Sequence, residues 1–351
     1  VLVDNAVDLL AAVVPPPSAA RRQERLLAAM RECARHGLTM VGDAGIGRET
    51  WDAYRALLAR GEFPIRVYAM AEVPGELAEE LLATGGRDGD RLMLRAVKVV
   101  ADGALGSRGA LLSADYSDQP GHRGLETFPF DSLGRVASRA LEKGLQVRVH
   151  CIGDLANTRT LDAYERAFGG RPRPELRWAV EHAQVVRPED VRRFARLGVV
   201  ASMQATHATS DAPWAERRLG PERVEWSYAW RRFLDAGVRF ANGSDFPVES
   251  VDPMLGLHAA VTRRDPAGRL PAEGWRAGER LTPEEALRSF SLWGAWLAFR
   301  EGDLGSLEPG KQADFIVVDR DPVLGDPAAI PGTRVLRTVV AGETVFEADG
   351  P

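Results

Sequence analysis

One unit recurs along this chain and constrains the fold more than any other feature. A helical segment stops at a glycine and hands over at once to a short β-rich run. It reads RHG-LTMV at Gly37, ARGEF-PIRVYAM at Gly61, EKG-LQVRVHC at Gly144, RLG-VVASMQ at Gly198 and DAG-VRFANGSD at Gly237. Glycine accepts the left-handed conformation that closes a helix, and the β-branched residues behind it favour a strand. Leu92–Val100 and Arg177–Val180 extend the series without a glycine, which makes seven strands. The runs are apolar throughout rather than alternating, as in parallel sheets covered on both faces.

Alternating strand and helix predicts a parallel sheet, either doubly wound or closed into a barrel. The barrel is preferred because polar residues at the strand ends converge, as set out below. The expectation is an α/β fold of the TIM (β/α)8 type. Seven strands is one short of eight, and VLVDNAVDLL resembles neither a natural start nor a leader. The first strand is therefore expected upstream of Val1. Ser18 is placed to cap a helix carrying Leu26, Leu27, Met30, Cys33 and Ala34. Thr282-Pro283-Glu284-Glu285 forms a capping box opening a helix with Leu287, Phe290, Trp293, Gly294 and Leu297 on one side. Past residue 300 the pattern changes to strands joined by Gly and Pro turns. Residues 1–300 read as the barrel and 301–351 as part of a small β-sandwich domain.

Composition narrows the partners. Lys+Arg total 45 against Asp+Glu 50, a net charge of −5, which argues against a nucleic-acid surface. No apolar run of about 18 residues is present to span a membrane. Cys33 and Cys151 cannot make a disulfide framework, which fits a cytoplasmic protein. The expected partner is a small-molecule substrate, with a homo-oligomer left open.

Chemistry-bearing side chains sit where barrel enzymes keep theirs, at the C-terminal ends of strands. Lys98 lies in VKVVADGALGSRGA, His150 ends VRVHCIGD, His182 ends AVEHAQ and Asp245 follows in NGSDFPV. Imidazole nitrogens and carboxylate oxygens suit zinc and similar divalent ions. A lone strand-end His is more often a hydrogen-bonded structural residue. Two on successive strands, with Lys98 and Asp245, favour a site. Lys98 in an apolar strand must snorkel, pair or lose its charge.

The set VKVVADGALGSRGALL, VHCIGDLANTRTLDAYE, VEHAQVV, SMQATHATSD and NGSDFPVES, closing with GSLEPGKQADFIVVDRDP, resembles the amidohydrolase superfamily, nearest the YtcJ-like branch (amidohydrolase family 3). The resemblance implies a (β/α)8 barrel with a divalent metal centre at its mouth, zinc being the leading candidate, with two ions in the intact protein. It implies that Lys98 is a bridging carbamate, that His150 and His182 are ligands of the second metal, and that Asp245 is a ligand and proton acceptor. It implies hydrolysis of non-peptide C–N bonds (amide, formamide or cyclic amide) by metal-activated water. The family's first strand ends in His-x-His, and no two of the six histidines here are two residues apart. His36 reads as a helix C-terminal cap. Residues 1–351 alone are thus expected to bind metal weakly and to be inactive; full activity would refute this.

Gln204 and His207 follow the seventh strand and are candidates for substrate contact or for a structured loop. Asp154 and Arg108 are candidates to bind substrate or to fix their loops. Asp102–Gln119 and Thr206–Glu225 read as loops that carry specificity. DGALGSRG lacks GK[ST] and is not a P-loop. Arg148 shares the parity of His150 and needs an acidic partner inside the barrel. His122 and His258 read as surface or helix-face residues. Trp226 and Trp230, one helical turn apart, and Trp214 read as a core or lid stripe. Competing readings are an esterase or lactonase using the same metals, and a non-catalytic binding barrel.

Overall fold

The computed structural model describes residues 6, 8–11 and 13–349. Val1 lies outside them. The elements run α1 (Asp8–Ala11), α2 (Ala19–Arg35), β1 (Met40–Ile46), α3 (Arg48–Ala59), β2 (Arg66–Val73), α4 (Glu76–Thr84), β3 (Leu92–Val100), α5 (Phe130–Glu142), β4 (Gln146–Cys151), α6 (Asp154–Ala167) and β5 (Ala179–His182). They continue with α7 (Pro188–Leu197), β6 (Val200–Gln204), α8 (Ala205–Val224), α9 (Trp230–Asp235), β7 (Phe240–Gly243), α10 (Pro253–Thr262), α11 (Pro283–Phe290), α12 (Leu292–Leu297), β8 (Phe315–Val318), β9 (Val335–Val340) and β10 (Glu343–Glu347).

The first seven strands form one parallel sheet in sequence order, β1 to β7. Five of them follow the glycine-terminated repeat, and β3 and β5 are the two runs expected without a glycine. The sheet curls into a partial barrel. On its inner face Tyr68, Met70, Met93 and Ala96 from β2 and β3 pack with Ala298, while Ala179, Val200 and Ala241 from β5, β6 and β7 pack with Leu297. Two adjacent residues at the end of α12 therefore touch both halves of the sheet, which requires the sheet to bend round them. Leu297 and Ala298 plug the end where the strands begin and leave the opposite end as the mouth.

Helix boundaries follow local chemistry. The Ser18 side chain accepts from Arg21 N, and Thr282 and Glu285 make the reciprocal capping box. The helix opened by Thr282 is interrupted, contrary to the single stripe expected. Ser291 (φ −129°, ψ −91°) separates α11 from α12, and Leu287 is 42% exposed. The kink is what turns Leu297 into the barrel floor.

Strands β10-β9-β8 form a small antiparallel sheet packed on α2. Thr338 Oγ1 donates to Ala34 O (2.7 Å), and buried Arg66 at the start of β2 donates from Nε to Asp314 Oδ2 (2.8 Å) and from Nη2 to Oδ1 (3.0 Å). That bidentate pair ties the small sheet to the floor of the curled one.

One glycine is a packing requirement. A Cβ on Gly153, between β4 and α6, would stand 2.0 Å from Leu111 O and 2.4 Å from Leu111 C. The obstacle is backbone of another loop, which cannot rotate away. Gly153→Ala is expected to destabilise the protein by about 1–3 kcal/mol, read from urea unfolding. A cost below about 0.5 kcal/mol would contradict this close approach.

Candidate metal centre

Register decides which side chains share the inner face. Lys98 pairs with Arg148, His150 with Glu181, and Glu181 with Ser202. Paired residues of a parallel ladder point to the same side. Lys98, Arg148, His150, Glu181, Ser202 and Gln204 thus share the face that carries Ala96, Ala179 and Val200 lower down.

Below the mouth lies a polar layer, and it supplies the partner that Arg148 requires. Arg148 Nε donates to Glu181, Nη2 to Ser202 Oγ (3.0 Å) and Nη1 to Gln146 Oε1 (3.3 Å). Tyr68 donates to the same Gln146 oxygen (3.1 Å). Burial alone would raise the Glu181 carboxyl, but the charge and hydrogen bond of Arg148 outweigh it and hold it below its usual range.

Lys98 is only 6% exposed and makes no ion pair with any described residue. Burial pushes its ammonium down, and the more distant carboxylates of Glu181 and Asp245 recover only part of that. The buried amine therefore disfavours its charged form.

The rings of His150 and His182 meet edge to face, with centroids 4.4 Å apart. Alternation would send His182 and Glu181 to opposite faces. His182 instead adopts φ +73° and Ala183 φ +42°, a left-handed turn that re-aims the imidazole at the strand end. Gln204 Oε1 lies 2.7 Å from His182 Nδ1, and Gln204 Nε2 donates to Ser202 O (3.3 Å). The amide orientation makes Oε1 the acceptor, so His182 carries its proton on Nδ1 and offers Nε2. His150 Nε2 is buried without a hydrogen bond. Burial lowers both imidazoles, and each is kept neutral, the form that ligates metal.

Asp245 stands just past β7 in a left-handed conformation (φ +56°) and is exposed at the mouth. Partial desolvation raises its carboxyl, while the His182 imidazole pulls it down. Electrostatic interaction links it to His182 and Lys98, the strand ends facing it across the curl.

The remaining candidates divide. Gln204 is buried and spent on His182. His207 stacks over His182 (5.8 Å, 19°), has an orphaned Nε2, and is driven by burial to a pKa of about 3. Asp154 accepts from Ser113 N (2.9 Å), the Ser113 hydroxyl and Arg187 Nε (3.3 Å). Arg108 donates from Nε and Nη2 to the two oxygens of Asp118, both at 3.0 Å. His36 caps α2. His122 Nε2 contacts Arg108 O (2.8 Å), and His258 is buried in α10. Trp226 precedes α9 and Trp230 begins it, so the two do not share a helix; Trp230 is core, with Trp214 and Trp226 packed against it.

The segment Thr206–Glu225, expected as a loop, is mostly helix. It lies in α8, broken only at Gly220 (φ +77°, ψ +168°). Its first turns place His207 and Asp211 on one face. Tyr228 donates to Asp211 Oδ2 (2.6 Å), and Gln184 Nε2 donates to Tyr228 Oη (2.7 Å) and Asp211 Oδ2 (3.2 Å). Sequence reading passed over this cluster, since its members are far apart along the chain. Burial raises Asp211 to about 6. A carboxyl whose folded pKa is raised favours the folded state below its unfolded value of about 3.9 and loses that advantage as pH rises through about 6. Asp211→Asn should therefore gain in melting midpoint relative to the parent as pH rises from about 4 to about 7. Parallel midpoint curves would show that Asp211 carries no such penalty.

The donors are compatible with a metal in one respect and limited in another. Two neutral, adjacent imidazoles, with ring centroids 4.4 Å apart, form half of a tetrahedral set. Among the described residues no group of three or more His, Cys, Asp or Glu stands where it could hold an ion. A third donor beside the two imidazoles would have to come from Lys98.

A family model described as an amidohydrolase family matches residues 1–346. YtcJ of Bacillus subtilis (strain 168) is 34% identical over 354 residues, covering 99% of this chain and 65% of that protein. The N-substituted formamide deformylase of Arthrobacter pascens is 30% identical, covering 93% of this chain and 60% of the enzyme. An uncharacterized metal-dependent hydrolase from Pyrococcus horikoshii OT3 superposes with a TM-score of 0.82 at 30% identity, covering 92% of this chain and 64% of that one. The chain thus spans under two thirds of the length of these relatives. Among the described residues no helix is long and apolar enough to cross a membrane.

Proposed function

Because this chain belongs to the amidohydrolase family, we propose that it supplies most of the centre of a metal-dependent hydrolase acting on non-peptide C–N bonds, with N-substituted formamides and cyclic amides first in line. The observation that carries this reading is the meeting of His150 and His182 at the mouth, ring centroids 4.4 Å apart, above a buried amine with no ion pair among the described residues. The formamide-cleaving relative supports the substrate class.

Lys98, His150 and His182 would hold the metal, with Lys98 as a carbamate and Asp245 beside them. Carboxylation turns a costly buried cation into an anionic oxygen donor and completes three donors with the two imidazoles. Neutral nitrogen donors with an anionic oxygen suit Zn2+. When bound, a divalent ion supplies Lewis acidity and makes hydroxide available near neutral pH. Asp245, exposed at the mouth, accepts the proton of the attacking water and returns it to the leaving amine. Gln204 orients His182 through its Nδ1 proton. His207, neutral and with an orphaned ring nitrogen, stacks on His182 and would contact substrate. Asp154 and Arg108 act on substrate only through the loops they hold. Among the described residues β1 and β7 are the unpaired edges of the curled sheet. We place there the strand that would close the barrel and carry a His-x-His pair.

The test is metal content together with a panel of N-substituted formamides, cyclic amides, esters and lactones, run before and after chelation. In the intact protein the reading expects bound metal, C–N cleavage lost on chelation and restored by zinc, and metal content lowered by Lys98→Ala. Hydrolysis confined to esters and lactones would overturn the substrate class. A protein with no metal would favour a binding barrel.

A further inference from the structure

One buried carboxylate ties the loop leaving β3 to the loop leaving β4. Asp102 has 0% exposed surface. Its Oδ1 accepts from Ile152 N (3.0 Å), and its Oδ2 accepts from Gly153 N (2.8 Å) and Leu111 N (2.9 Å). Three charge-assisted bonds to main chain make this a rigid clamp. Ile152 and Gly153 stand two and three residues beyond His150, and Leu111 lies in the loop that follows Lys98. The same Oδ1 is 3.5 Å from His150 Nε2, the ring nitrogen that is buried and has no hydrogen bond. At that length and alignment the contact is not yet a hydrogen bond. The main chain of Gly103 is the other polar neighbour of the ring, and site hydrogen bonds commonly tighten on loading.

We infer that Asp102 is the positioning residue of the centre: it fixes the strand end that carries His150 and keeps the proton of the neutral ring on Nε2, so that Nδ1 is the nitrogen presented to metal. The inference rests on the reading of His150 as a ligand. A carboxylate behind a ligating imidazole selects its tautomer and orientation, and removing such a partner typically weakens metal binding about 10–100-fold. Gln204 does the same for His182 through the opposite nitrogen. The two rings are thus set by different partners, one from the β3 loop and one from the end of β6, to present different nitrogens to a common point.

The experiment uses 15N-labelled protein of the full chain. Long-range proton–nitrogen NMR reads the tautomer of each histidine, with His150→Gln assigning the signals. Zinc affinity is measured alongside by competition with a chromophoric chelator. The metal-free parent is expected to show His150 protonated on Nε2. Asp102→Asn and Asp102→Ala are expected to give mixed tautomers at His150 alone and about 10–100-fold weaker zinc binding. A parent protonated on Nδ1 of His150 overturns the inference, even if both variants fail to fold. Folded variants with an unchanged His150 tautomer and unchanged zinc affinity overturn it too, leaving Asp102 a loop clamp only. A parent with the expected tautomer but no zinc binding keeps the positioning role and refutes the metal reading.

Discussion

On the proposed function, Asp245→Asn in the intact protein lowers amide or formamide turnover by about 10²–10⁴-fold and leaves the melting midpoint unchanged. The loss is that expected when a positioned proton acceptor is removed. The stability follows from the backbone. Asp245 sits at φ +56°, a region that asparagine enters as readily as aspartate. Its side chain is exposed and makes no ion pair with a described residue, so the amide leaves no buried group stranded. Steady-state kinetics beside thermal melts measures both quantities. A variant with full turnover would remove Asp245 from the proton path, and a large fall in midpoint would make it a structural residue.

Glu181→Ala destabilises the protein by about 3–5 kcal/mol, because it strands the Arg148 guanidinium inside the curled sheet. Arg148 keeps Ser202 and Gln146 as partners, but neither carries a charge. Replacing both ions, Arg148→Met with Glu181→Leu, should cost less than Glu181→Ala alone, since no buried charge is left unpaired. Urea unfolding of the three proteins decides it. A Glu181→Ala cost within about 1 kcal/mol would mean that water reaches the Arg148 layer. The pair matters to the site because Glu181 immediately precedes His182 and lies in register with His150.

The strand framework was legible because it rests on local chemistry. Glycines that close helices and β-branched residues that follow them mark five of the seven parallel strands, and Lys98 and His150 fall on the one face that the ladder sets. The unnamed partner of Arg148 is Glu181, an inner-face residue of the next strand. What hid it was the left-handed turn at His182, a conformation that a histidine does not advertise. The helix α8 was hidden for a related reason. Pro213, Gly220 and Pro221 are turn signals, yet Gly220 absorbs the break and the proline-bearing turns continue on either side. The break at Ser291 is the reverse case, a clean apolar stripe interrupted by the demand for a barrel floor. Asp102 and Asp211 were unreadable as partners, since each works through residues from other loops.

On the proposed function, Lys98, His150 and His182 share one cation at the open end of the curled sheet, with Asp245 beside it. Crystals grown with zinc and measured on either side of the zinc absorption edge test this directly. The account predicts an anomalous peak about 2.0–2.2 Å from a nitrogen of His150 and of His182, in contact with an oxygen carried on Lys98 Nζ. A peak at any other group of residues, or side chains of His150 and His182 that bind separate ions, would contradict it.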